Sequence, residues 1–183
     1  MQTTQLLDAA APSAAALSTG LLIARIVFGL TWSAHGAQKL FGWFGGYGLK
    51  ATGEFFVQLG FRPMHATIAA ATEVIGGLLI AFGFLGPIGP ALLLSVMIVA
   101  ALSVHWSNGF FAMSNGIELP LLYAAVALVL AFTGPGLFSL DTLLGIEWLS
   151  APGIAAAALG AGILGAALNL AARRRAPSSM RAT

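Results

Sequence analysis

The side chains able to do chemistry in this sequence are few, and the most telling of them sit where charge is expensive. The stretch RIVFGLTWSAHGAQKLFGWFGG, residues 25–46, carries Arg25, His35, Gln38 and Lys39 in an apolar run, and ATEVIGGLLIAFG, residues 71–83, carries Glu73. Ionisable groups in a lipid-compatible helix need a partner and mark a functional site by default. Arg25, Trp32 and Lys39 recur every seven residues, so they share one helix face, with Gly29 and Gly36 close by. Gly76 and Gly77 follow Glu73 at i+3 and i+4, clearing a face for a neighbouring helix. The expected pair is Arg25 with Glu73. It serves either as a tie between two helices or as a site where Glu73 exchanges a proton or holds a polar ligand.

A second constellation is expected at one membrane face. His35, His65 and His105 fall near the same ends of three successive apolar segments, and Glu118 opens the fourth beside Asn108 and Asn115. Singly, each histidine is at home at the interface, where amphipathic side chains favour the headgroup depth. Together they suit a quinone headgroup, with His35 or His105 hydrogen-bonded to a carbonyl. A b-haem on paired histidines is the lesser alternative, and the spacings are not those of a compact metal motif. Glu73, Glu118 and Lys39 are therefore the candidate catalytic groups. The carboxylates would relay protons, and Lys39 would stabilise a reduced anion where water is excluded. His35, His105, Arg25 and Trp32 are the candidate cofactor-binding residues, and no metal site is expected. Trp43, Phe44, Tyr47, Phe55, Phe56, Trp106, Phe110 and Phe111 cluster around the same loops, as an interfacial belt or the apolar mouth of a site.

The elements that must position these residues are membrane helices. Of the 183 residues, 58% are hydrophobic and only 8% charged. A soluble domain carries about 25% charged residues, so this chain cannot cover a water-facing surface. Cysteine is absent, which excludes disulfides, thiol redox chemistry and clusters on cysteine ligands. No basic patch interleaved with aromatics suggests nucleic acid. Residues 1–18 read as a polar tail with an Ala-rich end, without the basic start of a secretory signal.

Five apolar segments follow, at about residues 20–41, 64–85, 91–106, 117–133 and 154–172. The third and fourth need their flanking turns to reach the ~20 residues of a span. Residues 42–63 read as a polar, glycine-containing loop. Lys39 leads into that loop, Lys50 and Arg62 lie within it, and Arg173, Arg174, Arg175 and Arg181 lie in the C-terminal segment, whereas residues 134–153 carry only Asp141 and Glu147. With five helices these sets fall on opposite sides, which predicts a cytoplasmic C-terminus. The fifth segment is nearly all small residues, with Gly160, Gly162 and Gly165. It reads as an appended packing helix outside the site, and its glycines allow a homodimer.

The sequence resembles the DoxX family of small bacterial membrane proteins. The match is carried by residues 25–46, EVIGGLLIAFG at 73–83, HWSNGFF at 105–111, GIELPLLYAA at 116–125 and GPGLFSLDTLLG at 134–145. The resemblance implies an all-α, four-helix transmembrane bundle over residues 19–145, to which residues 146–175 add a fifth helix and 176–183 a basic tail. It also implies a place in the bacterial inner membrane and electron traffic with the quinone pool. Some members look like subunits of a thiosulfate:quinone oxidoreductase. Others associate with superoxide dismutase and a sulfurtransferase against oxidative stress, and others are linked to catechol or quinone detoxification. The expected role is that of a quinone-linked oxidoreductase subunit taking electrons from a soluble partner. The rivals are a non-enzymatic membrane scaffold for redox partners and a small-solute transporter with Glu73 as its proton site.

Overall fold

The computed structural model describes residues 13–174. The tail expected over 1–18 is therefore seen only from Ser13, and the basic tail at 176–183, with Arg175, lies outside the described residues. The first helix, α1 (Ala14–Phe41), starts where the Ser13 hydroxyl accepts the Ala16 N–H at 3.1 Å, so the Ala-rich end of the tail is helical. It stops at Gly42, whose φ of +73° is a left-handed cap that glycine adopts without strain.

The stretch expected as a loop contains a helix, α2 (Gly48–Gln58). Its glycines lower intrinsic helix propensity and mask it. Leu49, Thr52, Phe56 and Leu59 nonetheless recur at helical spacing, and α2 packs on both neighbouring helices. The α3 helix (Met64–Phe82) and α4 (Ile88–Ala100) follow. A π-helical turn (Ala101–His105) and a 3-10 turn (Trp106–Asn108) extend α4, making a continuous rod of 21 residues. This completes the span that the third segment lacked. After a tight loop come α5 (Glu118–Thr133), the short α6 (Leu140–Leu144) and α7 (Pro152–Ala171).

Four of these helices are long and apolar enough to cross a membrane, and α5 is a shorter apolar helix of 16 residues beside them. Among the described residues there are no strands. The chain is an all-α, multi-pass membrane bundle. Its outward faces carry Ile23, Val27, Leu30, Leu121, Val129 and Leu164, as lipid contact requires.

The tightest packing is α1 on α3, where the glycines predicted from spacing meet. A Cβ on Gly36 would come within 2.7 Å of the Ala70 carbonyl oxygen and the Val74 backbone. Gly29 faces Gly77 and Ala81 in the same way. Small residues at such crossings let backbones approach closely enough for dispersion to hold helices together in lipid. Trp32, only 1% exposed, lies over Gly76. At the centre stands α4, packed against α3, α5 and α7, with Leu93 and Leu94 buried among Ile80, Leu130 and Leu159.

Candidate functional site

The α1–α3 register decides which charges meet. Gly29 lies opposite Gly77–Ala81 and Gly36 opposite Ala70–Val74, so Glu73 is level with about residue 35 and Arg25 with Gly83. Ten residues of helix separate those levels, roughly 15 Å at about 1.5 Å per residue. Arg25 therefore does not reach Glu73. The expected Arg25–Glu73 pair is replaced by an ion pair between Lys39 Nζ and Glu73 Oε2. Lys39 starts one turn below Glu73 and its stem reaches back up α1. The Glu73 side chain is 5% exposed and that of Lys39 30%.

This pair lies at the deep end of a cavity of about 300 Å³. One wall is aromatic, from Phe55 and Phe56 of α2 and Phe61 of the α2–α3 corner. The other comes from α4, with Ser95, Val99 and then Ser103, Val104 and His105 of the π-helical turn. His65 stands with His105 at the shallow end, and Thr72 adjoins Glu73. A π-helical turn re-aims the side chains around it and occurs often at functional sites. Here it presents Ser103 and His105 to the cavity.

The cavity gathers some of the expected site residues and leaves others elsewhere. Lys39, Glu73 and His105 line it. His35 does not: its Nδ1 is 3.2 Å from Gln38 Oε1, and its ring meets Tyr123 edge-on at 6.4 Å. Glu118 accepts the Ala112 N–H at 2.7 Å and so braces the loop before α5. Trp32 is packing over Gly76. The seventh helix, expected to stand outside the site, supplies Asn169 to the lining. Its end is fastened to the α2–α3 corner: Arg174 N–H donates to Gly60 O and Arg173 Nε to Leu59 O, each at 2.9 Å. Asn169 is the lone polar residue in a helix of Ala, Gly, Ile and Leu, and that isolation is the signal that could have found it. The π-helical turn leaves no comparable mark in the sequence.

Arg25 belongs to a cluster at the opposite end of the bundle. It is 2% exposed, its Nη2 donates to Phe138 O, and the charge acting on it is that of Asp141. Asp141, fully buried, accepts the Leu85 and Gly86 N–H groups at 2.8 and 2.7 Å. That holds a tight α3–α4 turn in which Leu85 takes a φ of +62°, a left-handed conformation costly for a residue with a Cβ. Ser139 caps α6 by accepting the Thr142 N–H at 3.2 Å. Arg25 and Asp141 thus lock the loop before α6 onto α1 and the α3–α4 turn.

With the fold and cavity in view, comparison with known proteins gives the class. A family model for DoxX matches residues 20–106. The chain is 31% identical over 122 residues to CatD of Bacillus subtilis, whose name describes it provisionally as an oxidoreductase; the match covers 67% of this chain and 84% of CatD. It is 28% identical over 134 residues to the inner membrane protein YqjF of Escherichia coli, covering 70% of this chain and 95% of that one. An uncharacterized protein of Haemophilus influenzae is 36% identical over 77 residues, 42% of this chain and 51% of its own length. No solved structure gives a significant match. The chain belongs to the DoxX family of membrane proteins.

Proposed function

We propose that this protein is the membrane component of a redox system and binds a flat, lipid-soluble ring of the quinone type in the cavity beside Lys39 and Glu73. The carrying observation is a buried ion pair whose cavity side is walled by Phe55, Phe56 and Phe61. An ion pair that only tied helices together would need no cavity beside it, and unfilled space forfeits the dispersion contacts that close packing supplies. The volume supports the ligand size. A cavity of about 150 Å³ holds one benzene, so about 300 Å³ suits a one- or two-ring headgroup and is too small for a porphyrin. The name of CatD lends the redox reading weak support.

In this reading Glu73 exchanges a proton with the ring and Lys39 steadies negative charge developing on it. A quinone-type ring supplies two-electron chemistry when bound, and a partner protein supplies the electrons. The α2–α3 corner and the end of α7, which carry Arg62, Arg173 and Arg174, touch one another. We place that face in the cytoplasm by the excess of positive residues.

Mass spectrometry of the full chain purified in mild detergent tests this. A co-purifying quinone-type ring, oxidised or reduced, depleted in Glu73→Gln, is the expected result. An empty protein, from membranes whose quinone reduction does not depend on it, would overturn the reading.

A further inference from the structure

The hydrogen bonds of the two histidines at the cavity's shallow end bear on which form of such a ring it takes. His65 Nδ1 lies 3.2 Å from the Arg62 carbonyl oxygen, and His105 Nδ1 lies 2.8 Å from that of Asn115. A carbonyl oxygen can only accept, so in both rings Nδ1 carries the proton. The neutral imidazole then has one nitrogen left, Nε2, and it is an acceptor. Two separate backbone carbonyls, one before α3 and one before α5, fix the same tautomer in both rings that line the cavity.

We infer that the cavity selects the reduced, hydroxyl-bearing form of a one- or two-ring aromatic, whose O–H groups donate to Nε2 of His65 and His105, over the oxidised dione. This rests on the cavity being a ring-binding site, as proposed above. A dione presents only acceptors. Against two imidazole lone pairs it makes no hydrogen bond and leaves them desolvated, which is the costly half of an unmade bond. A diol satisfies both. Ser103 fits either form, since its hydroxyl donates or accepts. Its Oγ is buried against the cavity and has no hydrogen-bond partner among the described residues, so a bound polar group is what would satisfy it. Glu73 adds a further acceptor at the deep end. The donors there belong to Lys39, one of whose N–H groups is already committed to Glu73. The direction of hydrogen bonding is the reverse of the histidine-to-carbonyl bond expected from sequence.

The full chain in lipid nanodiscs, kept anaerobic, is titrated calorimetrically with naphthoquinone, its diol and the diol's dimethyl ether. The ether keeps the shape of the diol and loses both donors. Two net hydrogen bonds predict that the diol binds on the order of tenfold more tightly than either comparator. His65→Phe and His105→Phe are each expected to bring the diol's affinity down towards that of the ether. The comparison on the native chain stands even where a variant folds poorly. Equal affinity for all three probes, or tighter binding of the dione, overturns the inference. If that equal binding is lost in Glu73→Gln, the cavity remains a ring site and only its selectivity was misread. If none of the three binds, the inference and the proposed function fall together.

Discussion

At the end of the bundle where α3 turns into α4, Arg25 and Asp141 are enclosed by backbone: the carboxylate takes two N–H groups and the guanidinium holds a carbonyl. At the other end, Lys39 and Glu73 hold one another and face a cavity of about 300 Å³. Both are buried charges of opposite sign in a membrane protein. What separates them is what each charge touches. Backbone partners are fixed by the fold, so the Asp141 carboxylate is held in place at this end, while Nε and Nη1 of Arg25 have no hydrogen-bond partner among the described residues. A side-chain partner beside free space leaves a carboxylate that can change state. Buried charge alone therefore does not distinguish the two ends of this molecule; what each charge touches does.

The sharpest way to break this comparison is to remove one charge at each end. Asp141→Ala takes away both bonds holding the Leu85 turn and leaves Arg25 without its counter-charge. Uncompensated buried charge costs about 3–5 kcal/mol, so this variant should show the largest loss of thermal stability in detergent. Whatever folds should bind ring ligands as the native chain does. Native-like melting of Asp141→Ala would show that the Arg25–Asp141 cluster is not a clamp.

Lys39→Met is expected to cost less, about 1–3 kcal/mol, because Lys39 is partly exposed and Glu73 can take up a proton when its partner is gone. Ligand affinity should fall about tenfold or more. The double variant Lys39→Met with Glu73→Leu sharpens the contrast. Replacing a buried ion pair by apolar side chains of similar size is often neutral or stabilising, so stability should return while binding stays lost. The matching double variant at the other end, Arg25→Leu with Asp141→Leu, should recover nothing, because the backbone N–H groups of Leu85 and Gly86 would still lack their acceptor. Recovery at both ends, read by thermal unfolding, would erase the distinction.

Much of this was legible in the sequence, and the rest failed for identifiable reasons. The apolar runs gave the helices, and glycines at 29, 36, 76 and 77 gave the α1–α3 contact, because both depend on local pattern and on side-chain size. The partner of Glu73 was not legible. Arg25 and Lys39 lie on one face of α1, and only the register of two antiparallel helices chooses between them. Register is set by how the glycines interlock, which no single segment encodes. Asn169 enters the cavity through tertiary packing of α7, and the re-aiming of Ser103 and His105 depends on a π-helical turn in an otherwise ordinary apolar run.

The smallest expected effect concerns the fastening of α7. Arg173 Nε donates to Leu59 O, and its guanidinium stands 5.3 Å from the centre of the Phe61 ring. Leu59 and Phe61 both line the cavity, and Asn169 lies one helical turn before Arg173. The latch thus joins the cavity's aromatic wall to the helix that supplies its remaining polar group. An exposed cation–π contact contributes about 0.5–1 kcal/mol, and the backbone amide of Arg174 keeps its bond to Gly60 whatever side chain occupies residue 173. Arg173→Ala should therefore leave global melting nearly unchanged. Its effect should appear locally, as hydrogen exchange several-fold faster at Leu59–Phe61 and a shorter residence time for a bound ring. Arg25→Ala, at the sealed end, should leave exchange at Leu59–Phe61 unaltered. If Arg173→Ala changes neither exchange nor residence time, the cavity wall does not depend on the latch. The contrast between a sealed end and an adjustable one would then rest on Lys39 and Glu73 alone.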